Sequence, residues 1–490
     1  MMKESDIHSL LKRAGNKLSA IDQIANQLFL QHHPLQPALQ AYAKYLKSHR
    51  GAANATFNYA YYLSKDGQFE VAVRMYLRSL KLGIDSPEEV HLNIANIYMD
   101  HLRSASKARK HLNKALSLNN RYAGAYYNLG NLSEQEGKRA EAIRCFERCL
   151  QFDSGNESAL ARLADAHLFA DTDDPLFRRL VSTAQKSNNG DIHFTLGRTY
   201  EKFAEYELAW QHFSRANMLD RSNWPVYNRA STEAVFQKII SQCDSSWLRR
   251  YQGSSDSSVF ICGMFRTGST LLEQVLAAHP RFTAGGEREF FPRLVAKEFR
   301  GFPSGLDSMV AAKALSWKQR YNEQTREIFG DAGRVTDKRP DNFLHIGLIK
   351  AILPSAKFVV TQRDWRDVAT SVYSTRLGPK QNYATSLRDI HHYIGLQNSL
   401  VEHWQSLLGS ELIRVPYEDL VTEPRKTITA VLAGLGEPWD ERCLLFHQLK
   451  NAVQTASVWQ VREPFHANSV GRWKNYLSQF ESSLGIDLTP

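Results

Sequence analysis

The chain has 490 residues, room for two to four domains at roughly 100–200 residues each. Its 43% hydrophobic and 11% aromatic content is enough for packed cores and excludes a wholly disordered chain. With 61 Lys and Arg against 51 Asp and Glu, the formal charge is +10, which favours anionic partners without separating nucleic acid, acidic protein and phosphorylated cofactor. The five cysteines, Cys145, Cys149, Cys243, Cys262 and Cys443, form no C-x-x-C pair and no zinc-spaced cluster, which points to a reducing compartment without structural disulfides or zinc. Lys3, Glu4, Asp6, Lys12, Arg13, Lys17 and Asp22 interrupt the start of the chain, and no run of about 18 apolar residues occurs anywhere. A cytoplasmic protein without a membrane span is the expectation.

The first half repeats itself. In a 34-residue frame starting at Ala123, Tyr126, Leu129, Gly130, Gly137, Ala142, Phe146 and Cys149 occupy the tetratricopeptide positions. A second copy has Leu196, Gly197, Tyr200, Ala209, Phe213 and Ala216, and a third has Leu63, Gly67, Ala72 and Tyr76. The small residue that lets the two helices of a unit approach recurs at Ala38, Ala72, Ala108, Ala142 and Ala209, in steps of 34, 36, 34 and 67, the last nearly two periods. Six units, some partial, are predicted. Each helix pair leaves an apolar face that only the next can cover, so the expected form is a curved all-α solenoid. The consensus aromatics are core residues. Asn58, Asn93 and Asn128, off the consensus on first helices, are the candidates for lining a peptide groove, because amides bond peptide backbone well.

After Asp220 the frame ends. A last helical stretch, about 227–251, runs into the polar linker Gly253-Ser-Ser-Asp-Ser-Ser258. This divides the chain into a repeat domain, 1–252, and a second domain, 253–490. From Val259 onward, β-rich runs at Val259–Cys262, Ala356–Thr361 and Glu411–Val415 alternate with helical stretches. That grammar predicts an α/β domain with a central parallel sheet, whose ligands bind at the carboxyl ends of the strands.

The first of those strands runs into Gly263-Met-Phe-Arg-Thr-Gly268-Ser269-Thr270 and then a helical segment. The glycines have Walker A spacing, and strand, loop and helix N-terminus is the context in which backbone N–H groups converge on a phosphate. Ser269 stands where ATP- and GTP-using enzymes have lysine, so a triphosphate with magnesium is poorly matched. A smaller anion, helped by Arg266, suits the loop.

Gly263-Met-Phe-Arg-Thr-Gly-Ser-Thr-Leu-Leu-Glu-Gln-Val-Leu-Ala-Ala-His-Pro280 resembles the 5′-phosphosulfate loop of sulfotransferases, in particular the bacterial sulfotransferases with tetratricopeptide repeats. Within that superfamily the second domain is most similar to the tyrosylprotein sulfotransferases, over about residues 259–480. Phe265 stands where the family usually has Pro, and Thr267 where it has Ser. The donor implied by the resemblance is 3′-phosphoadenosine 5′-phosphosulfate, used without a metal and leaving as adenosine 3′,5′-bisphosphate. Arg266, Thr267, Gly268, Ser269 and Thr270 would hold its 5′ end, with the helix dipole adding favourable potential. Lys357-Phe-Val-Val-Thr-Gln-Arg363 through Ser371 is similar to the family's 3′-phosphate motif, which assigns Arg363 and Ser371 to that group.

Transfer to a hydroxyl needs a base for the acceptor proton and a cation where charge moves onto the leaving phosphate. By the same resemblance the base is Glu287, in Gly285-Gly-Glu287, and the cation is Lys338, in Asp337-Lys-Arg-Pro-Asp-Asn-Phe343. Arg266 and Ser457 complete the catalytic set, and Tyr417 and Arg472 fall on nucleotide-binding positions. The relatives carry arginine two residues beyond the glutamate, whereas this chain has Arg288 then Glu289, so the acceptor side departs from the pattern. Peptide tyrosine, a sugar hydroxyl and a small phenol all suit one carboxylate base. The repeats would recruit the acceptor, a peptide or protein, or another protein partner. A repeat scaffold with a non-catalytic nucleotide-binding domain is the alternative. A P-loop kinase is disfavoured by Ser269, and nucleic-acid binding by the absence of a recognised motif.

Overall fold

The structure is a computed structural model. It describes residue 10 and residues 17–31, 33–251, 253, 258–299, 301–453, 455 and 458–485. Linker residues 254–257 and the predicted catalytic Ser457 lie outside the described residues. Contacts divide the chain into two compact units, residues 1–134 with 138–159, and residues 135–137 with 160–490.

The first unit is built of antiparallel helix pairs. Leu18–Leu30 pairs with Gln36–Ser48, Ala53–Lys65 with Phe69–Lys81, and Pro87–Asp100 with Ala105–Leu118. Helices Ala123–Gln135 and Arg139–Phe152 follow. Ala38, Ala72, Ala108 and Ala142 are all completely buried, as a residue at the closest approach of two helices must be. Gly130 shows the constraint directly: a Cβ there would lie 2.5 Å from the Phe146 ring. The Asn58 amide donates to Asp22 (3.0 Å) and that of Asn128 to Asn96 (2.7 Å), so these two asparagines bridge successive first helices.

The second unit contains one more complete pair, Gly190–Lys202 with Tyr206–Asn223. Here Gly197 faces Phe213 as Gly130 faces Phe146, with the same 2.5 Å approach. These helices share a core with the α/β region: Phe194, Ala209, Phe213 and Ala216 cluster with Met264, Val368, Val372, Trp473 and Tyr476.

The sheet has five parallel strands in the order β2-β3-β1-β4-β5. They are β1 (Val259–Gly263), β2 (Phe282–Thr283), β3 (Arg334–Lys338), β4 (Lys357–Gln362) and β5 (Leu412–Pro416). The three predicted strands are β1, β4 and β5, and each ends one residue later than the sequence pattern suggested. β1 is the central strand and entirely buried, in register with both neighbours (Val259 beside Thr336 and Lys357). The loop after it therefore opens where connections leave in opposite directions, at the carboxyl edge where parallel sheets bind ligands. One face is covered by a core around Phe260, Phe291, Phe358 and Trp404, the other by Val259, Ile261, Leu272, Val359 and Ile428.

Candidate active site

The loop between β1 and helix Ser269–Ala277 is forced into shape by its glycines. Gly263 has φ of +141° and a Cβ there would sit 2.4 Å from the Thr361 carbonyl; Gly268 has φ of +92° and a Cβ would strike the Tyr417 ring at 2.6 Å. Arg266, between them, is itself left-handed, with φ of +73°. Gly268 caps the helix without a side-chain bond, which leaves the first-turn N–H groups at Ser269 and Thr270 facing the cavity. Thr267 is turned the other way. Its Oγ1 donates to the Met264 carbonyl (2.6 Å) and shares a hydrogen bond with Thr361 Oγ1 (2.7 Å). Its hydroxyl thus locks the loop to β4.

A cavity of about 290 Å³ lies against this loop, lined by Arg266, Gly268, Ser269, Thr270, Glu287, Arg363, Ser371, Tyr417 and Arg472 among others. Nine of the twelve predicted site residues are thus gathered around one space. Arg363 follows β4, and Asp364 caps helix Trp365–Tyr373 by accepting from Arg366 N, which carries Ser371 to the cavity wall. Arg266 Nε donates to Ser371 Oγ (2.9 Å), and Arg363 Nη1 to the Arg266 carbonyl (3.1 Å). The loop and the strand-end motif are therefore one hydrogen-bonded structure. The Arg363 guanidinium lies 4.5 Å from the centre of the Tyr417 ring.

Burial, with the positive charges of Arg363, Arg472 and Arg198 nearby, pushes Arg266 down to about 10. Arg363 is lowered as well, by burial first, with Arg472 adding repulsion. Arg363 Nε is buried and has no hydrogen-bond partner among the described residues. Crowded cations with an unanswered donor form a site that an anion completes. The donor set thus fits a nucleotide with negatively charged groups at both ends.

On the other flank Glu287 sits in the loop after β2. A Cβ on Gly285 would lie 2.0 Å from the Thr336 carbonyl, so only glycine lets this loop lie against β3. Gly286 N and Thr336 Oγ1 both donate to Glu273 Oε1 at 2.8 Å, and Lys338 N donates to the Gly286 carbonyl (2.9 Å). Lys338, 1% exposed, then meets Glu287, 34% exposed, with Nζ and Oε1 2.8 Å apart. The predicted base and cation are an ion pair, with the carboxylate on the cavity side.

Sequence reasoning missed the groups that hold these residues. Glu273 looked like one more helical residue. Asp367, 1% exposed, accepts from Gly471 N (2.7 Å) and Trp473 N (3.0 Å) and fixes the backbone that presents Arg472. Glu201 pairs with the Arg472 side chain. No group of three or more His, Cys, Asp or Glu side chains that could hold a metal occurs among the described residues, and all five cysteines are buried and free. No described helix is long and apolar enough to cross a membrane.

Residues 258–441 match the model of the sulfotransferase family, and residues 123–156 that of the tetratricopeptide repeat. An uncharacterised protein of Aquifex aeolicus (strain VF5) is 28% identical over 341 residues, covering 66% of this chain and 45% of that one. Protein-tyrosine sulfotransferase A of Caenorhabditis elegans is 25% identical over 236 residues, covering 44% and 60%. Among solved structures, the sulfotransferase domain of the Synechococcus PCC 7002 olefin synthase aligns with a TM-score of 0.36 at 20% identity, over 49% of this chain and 98% of that one. The chain spans between 45% and 60% of the length of the two curated relatives. Residues 258–441 are thus similar to the sulfotransferase family, with a match to the tetratricopeptide repeat ahead of them in sequence.

Proposed function

We propose that this chain moves a sulfuryl group from 3′-phosphoadenosine 5′-phosphosulfate to an acceptor hydroxyl, with Glu287 as base and Lys338 as cation. The observation that carries the reading is the 2.8 Å Glu287–Lys338 pair on the same cavity as the glycine loop and the arginine–serine motif. When bound, the donor supplies an activated sulfuryl group and, as leaving group, adenosine 3′,5′-bisphosphate. The N–H groups and hydroxyls of Ser269 and Thr270, with Arg266, hold the 5′ side; Arg363, Ser371 and Arg472 hold the phosphate on the 3′ side, with Tyr417 beside them. Glu287 takes the proton of the acceptor hydroxyl. In doing so it loses the charge that engaged Lys338, and the ammonium is freed to face negative charge developing elsewhere in the pocket. Base and cation are thus coupled: proton capture at one releases electrostatic stabilisation from the other. No metal is required.

The relatives named protein-tyrosine sulfotransferase support peptide tyrosine as the acceptor, and the repeats support recruitment of a protein, as acceptor or as partner. A non-catalytic nucleotide-binding domain would have no use for a carboxylate paired with a buried lysine at the cavity. The test is Glu287→Gln, assayed with labelled donor and a panel of tyrosine peptides, sugars and phenols. Transfer should fall by about 10² to 10⁴, while thermal stabilisation by adenosine 3′,5′-bisphosphate, not matched by ATP with magnesium, persists. Undiminished turnover in the variant would remove Glu287 as base, and a preference for ATP would favour a kinase.

A further inference from the structure

Helix Gly190–Lys202 lies in the same compact unit as the sheet, and its penultimate residue, Glu201, reaches into the nucleotide pocket's wall. Its two oxygens accept from Arg472 Nε (2.5 Å) and Nη2 (2.6 Å), while Nη2 also donates to Ser374 Oγ (3.0 Å). Both side chains are largely withdrawn from solvent, 17% and 19% exposed, so this fork is not a loose surface pair.

Arg472 stands in repulsive company. Arg266, Arg363 and Arg198 share its neighbourhood. Arg198 is held by Asp165 at 2.7 Å and also donates to the Ser374 carbonyl (3.4 Å). Asp367 sets the path of the backbone at 471–473, but backbone bonds do not direct a long, flexible side chain. With Glu201 neutral, Asp367 would be the one carboxylate still attracting Arg472 against three neighbouring guanidinium groups, and its guanidinium would shift toward water. With Glu201 charged, Arg472 is drawn into the cluster, Glu201's own charge is cancelled by the arginine it holds, and Nη1 is left without a protein bond among the described residues.

We propose that Glu201 is a positioning residue for nucleotide recognition: it holds Arg472 inside the arginine cluster, ready for a phosphate on the ribose 3′ oxygen, and makes this repeat helix a determinant of selectivity for 3′-phosphorylated nucleotides. The inference rests on the donor reading given above.

Calorimetric titration of full-length Glu201→Gln with adenosine 3′,5′-bisphosphate and with 5′-AMP, which lacks the 3′ phosphate, tests it. Removing the charge while keeping the shape should weaken bisphosphate binding about tenfold and leave 5′-AMP within about twofold, as expected for one charge-assisted contact. In an Arg472→Gln background the same substitution should change nothing further. Glu201→Asp keeps the charge on a shorter stem and should show a partial loss, again confined to the bisphosphate; it also serves as the test if the glutamine variant does not fold. Unchanged or tighter bisphosphate binding, or equal weakening of both nucleotides, overturns the role of Glu201. A parent protein that does not prefer the bisphosphate overturns the donor reading and this inference with it.

Discussion

The arginine cluster implies that the pocket destabilises the protein until an anion fills it. Arg266 is held near 10, well below the usual guanidinium value, which at about 1.4 kcal/mol per pH unit disfavours its charged form by about 3 kcal/mol. Arg266 is only half-buried and faces the open pocket, so solvent screening cuts this to about 1.5 kcal/mol. Its folded value lies below its unfolded one and both are far above neutrality, so the penalty is fully present at any pH below about 10 and disappears only as pH rises through both. Arg266→Asn removes the charge and replaces a strained left-handed arginine with a residue that tolerates that conformation, a gain of about 1 kcal/mol. Losing the bond to Ser371 offsets about 1 kcal/mol. Without nucleotide, the variant should be more stable by about 1.5 kcal/mol, or about 2 °C for a unit of this size.

The nucleotide response should move the other way. At a hundredfold excess over its dissociation constant, adenosine 3′,5′-bisphosphate should stabilise the parent by about 2.7 kcal/mol, roughly 4 °C. Loss of an arginine–anion contact weakens binding about fiftyfold, which leaves a shift of about 1 °C at the same concentration. Scanning calorimetry of both proteins, with and without the nucleotide, reads all four values. A variant that melts below the parent without nucleotide, or one that keeps the full nucleotide shift, refutes the reasoning.

Burial raises Asp337 to about 7, against the opposing pull of Arg288 and Arg339. Between about pH 4 and 7 the folded state therefore keeps a proton that the unfolded chain has lost, so this group's contribution to stability falls as pH rises through that window. Asp337→Asn should remove about 3 kcal/mol of the decline between pH 5 and pH 8, about 4 °C; an identical decline in melting temperature would contradict the assignment. A chain begun at residue 160 should fold and bind the bisphosphate, whereas one begun at the linker, residue 253, loses the partners of Tyr373 and Tyr476, whose rings lie 4.8 and 5.3 Å from that of Trp210. Solubility and nucleotide-dependent melting of the two truncations decide where an independently folding unit starts, and a well-behaved 253–490 fragment would show that the helices before it are dispensable.

What the sequence disclosed and what it concealed follow from the range of the forces involved. The β1 loop was legible because its constraints are local: glycines at 263 and 268, a buried strand before and a helix after. β3 was not. Arg334-Val-Thr-Asp-Lys338 does not read as a buried run, and it becomes a strand because β1 and β2 flank it, with Thr336 Oγ1 donating to Glu273 and Asp337 Oδ1 accepting from Asn342, while Asp337 Oδ2 stays buried without a partner among the described residues. The partner of the Thr267 hydroxyl was hidden for a related reason. Nothing local in the loop points to the Thr361 hydroxyl, 94 residues away, with which it shares a hydrogen bond.

The counter-ions were the least legible part, and their origin explains how the pocket can exist. Arginines concentrated around one cavity repel each other, and a fold that gathers them needs carboxylates from outside the motifs that supply the arginines. Glu201 answers Arg472 across 271 residues, Asp220 answers Arg376 across 156, and Asp165 answers Arg198 across 33. All three acids lie in the helical segment ahead of β1, so that segment contributes electrostatic tolerance as well as apolar surface. Arg376, Arg198 and Arg472 are answered by the helices, whereas Arg363 has Asp367 of its own motif 4.0 Å away and keeps a buried Nε without a hydrogen-bond partner among the described residues. A bound anion gains most at that Nε, in the strand-end motif that Arg363 Nη1 ties to the glycine loop through the Arg266 carbonyl.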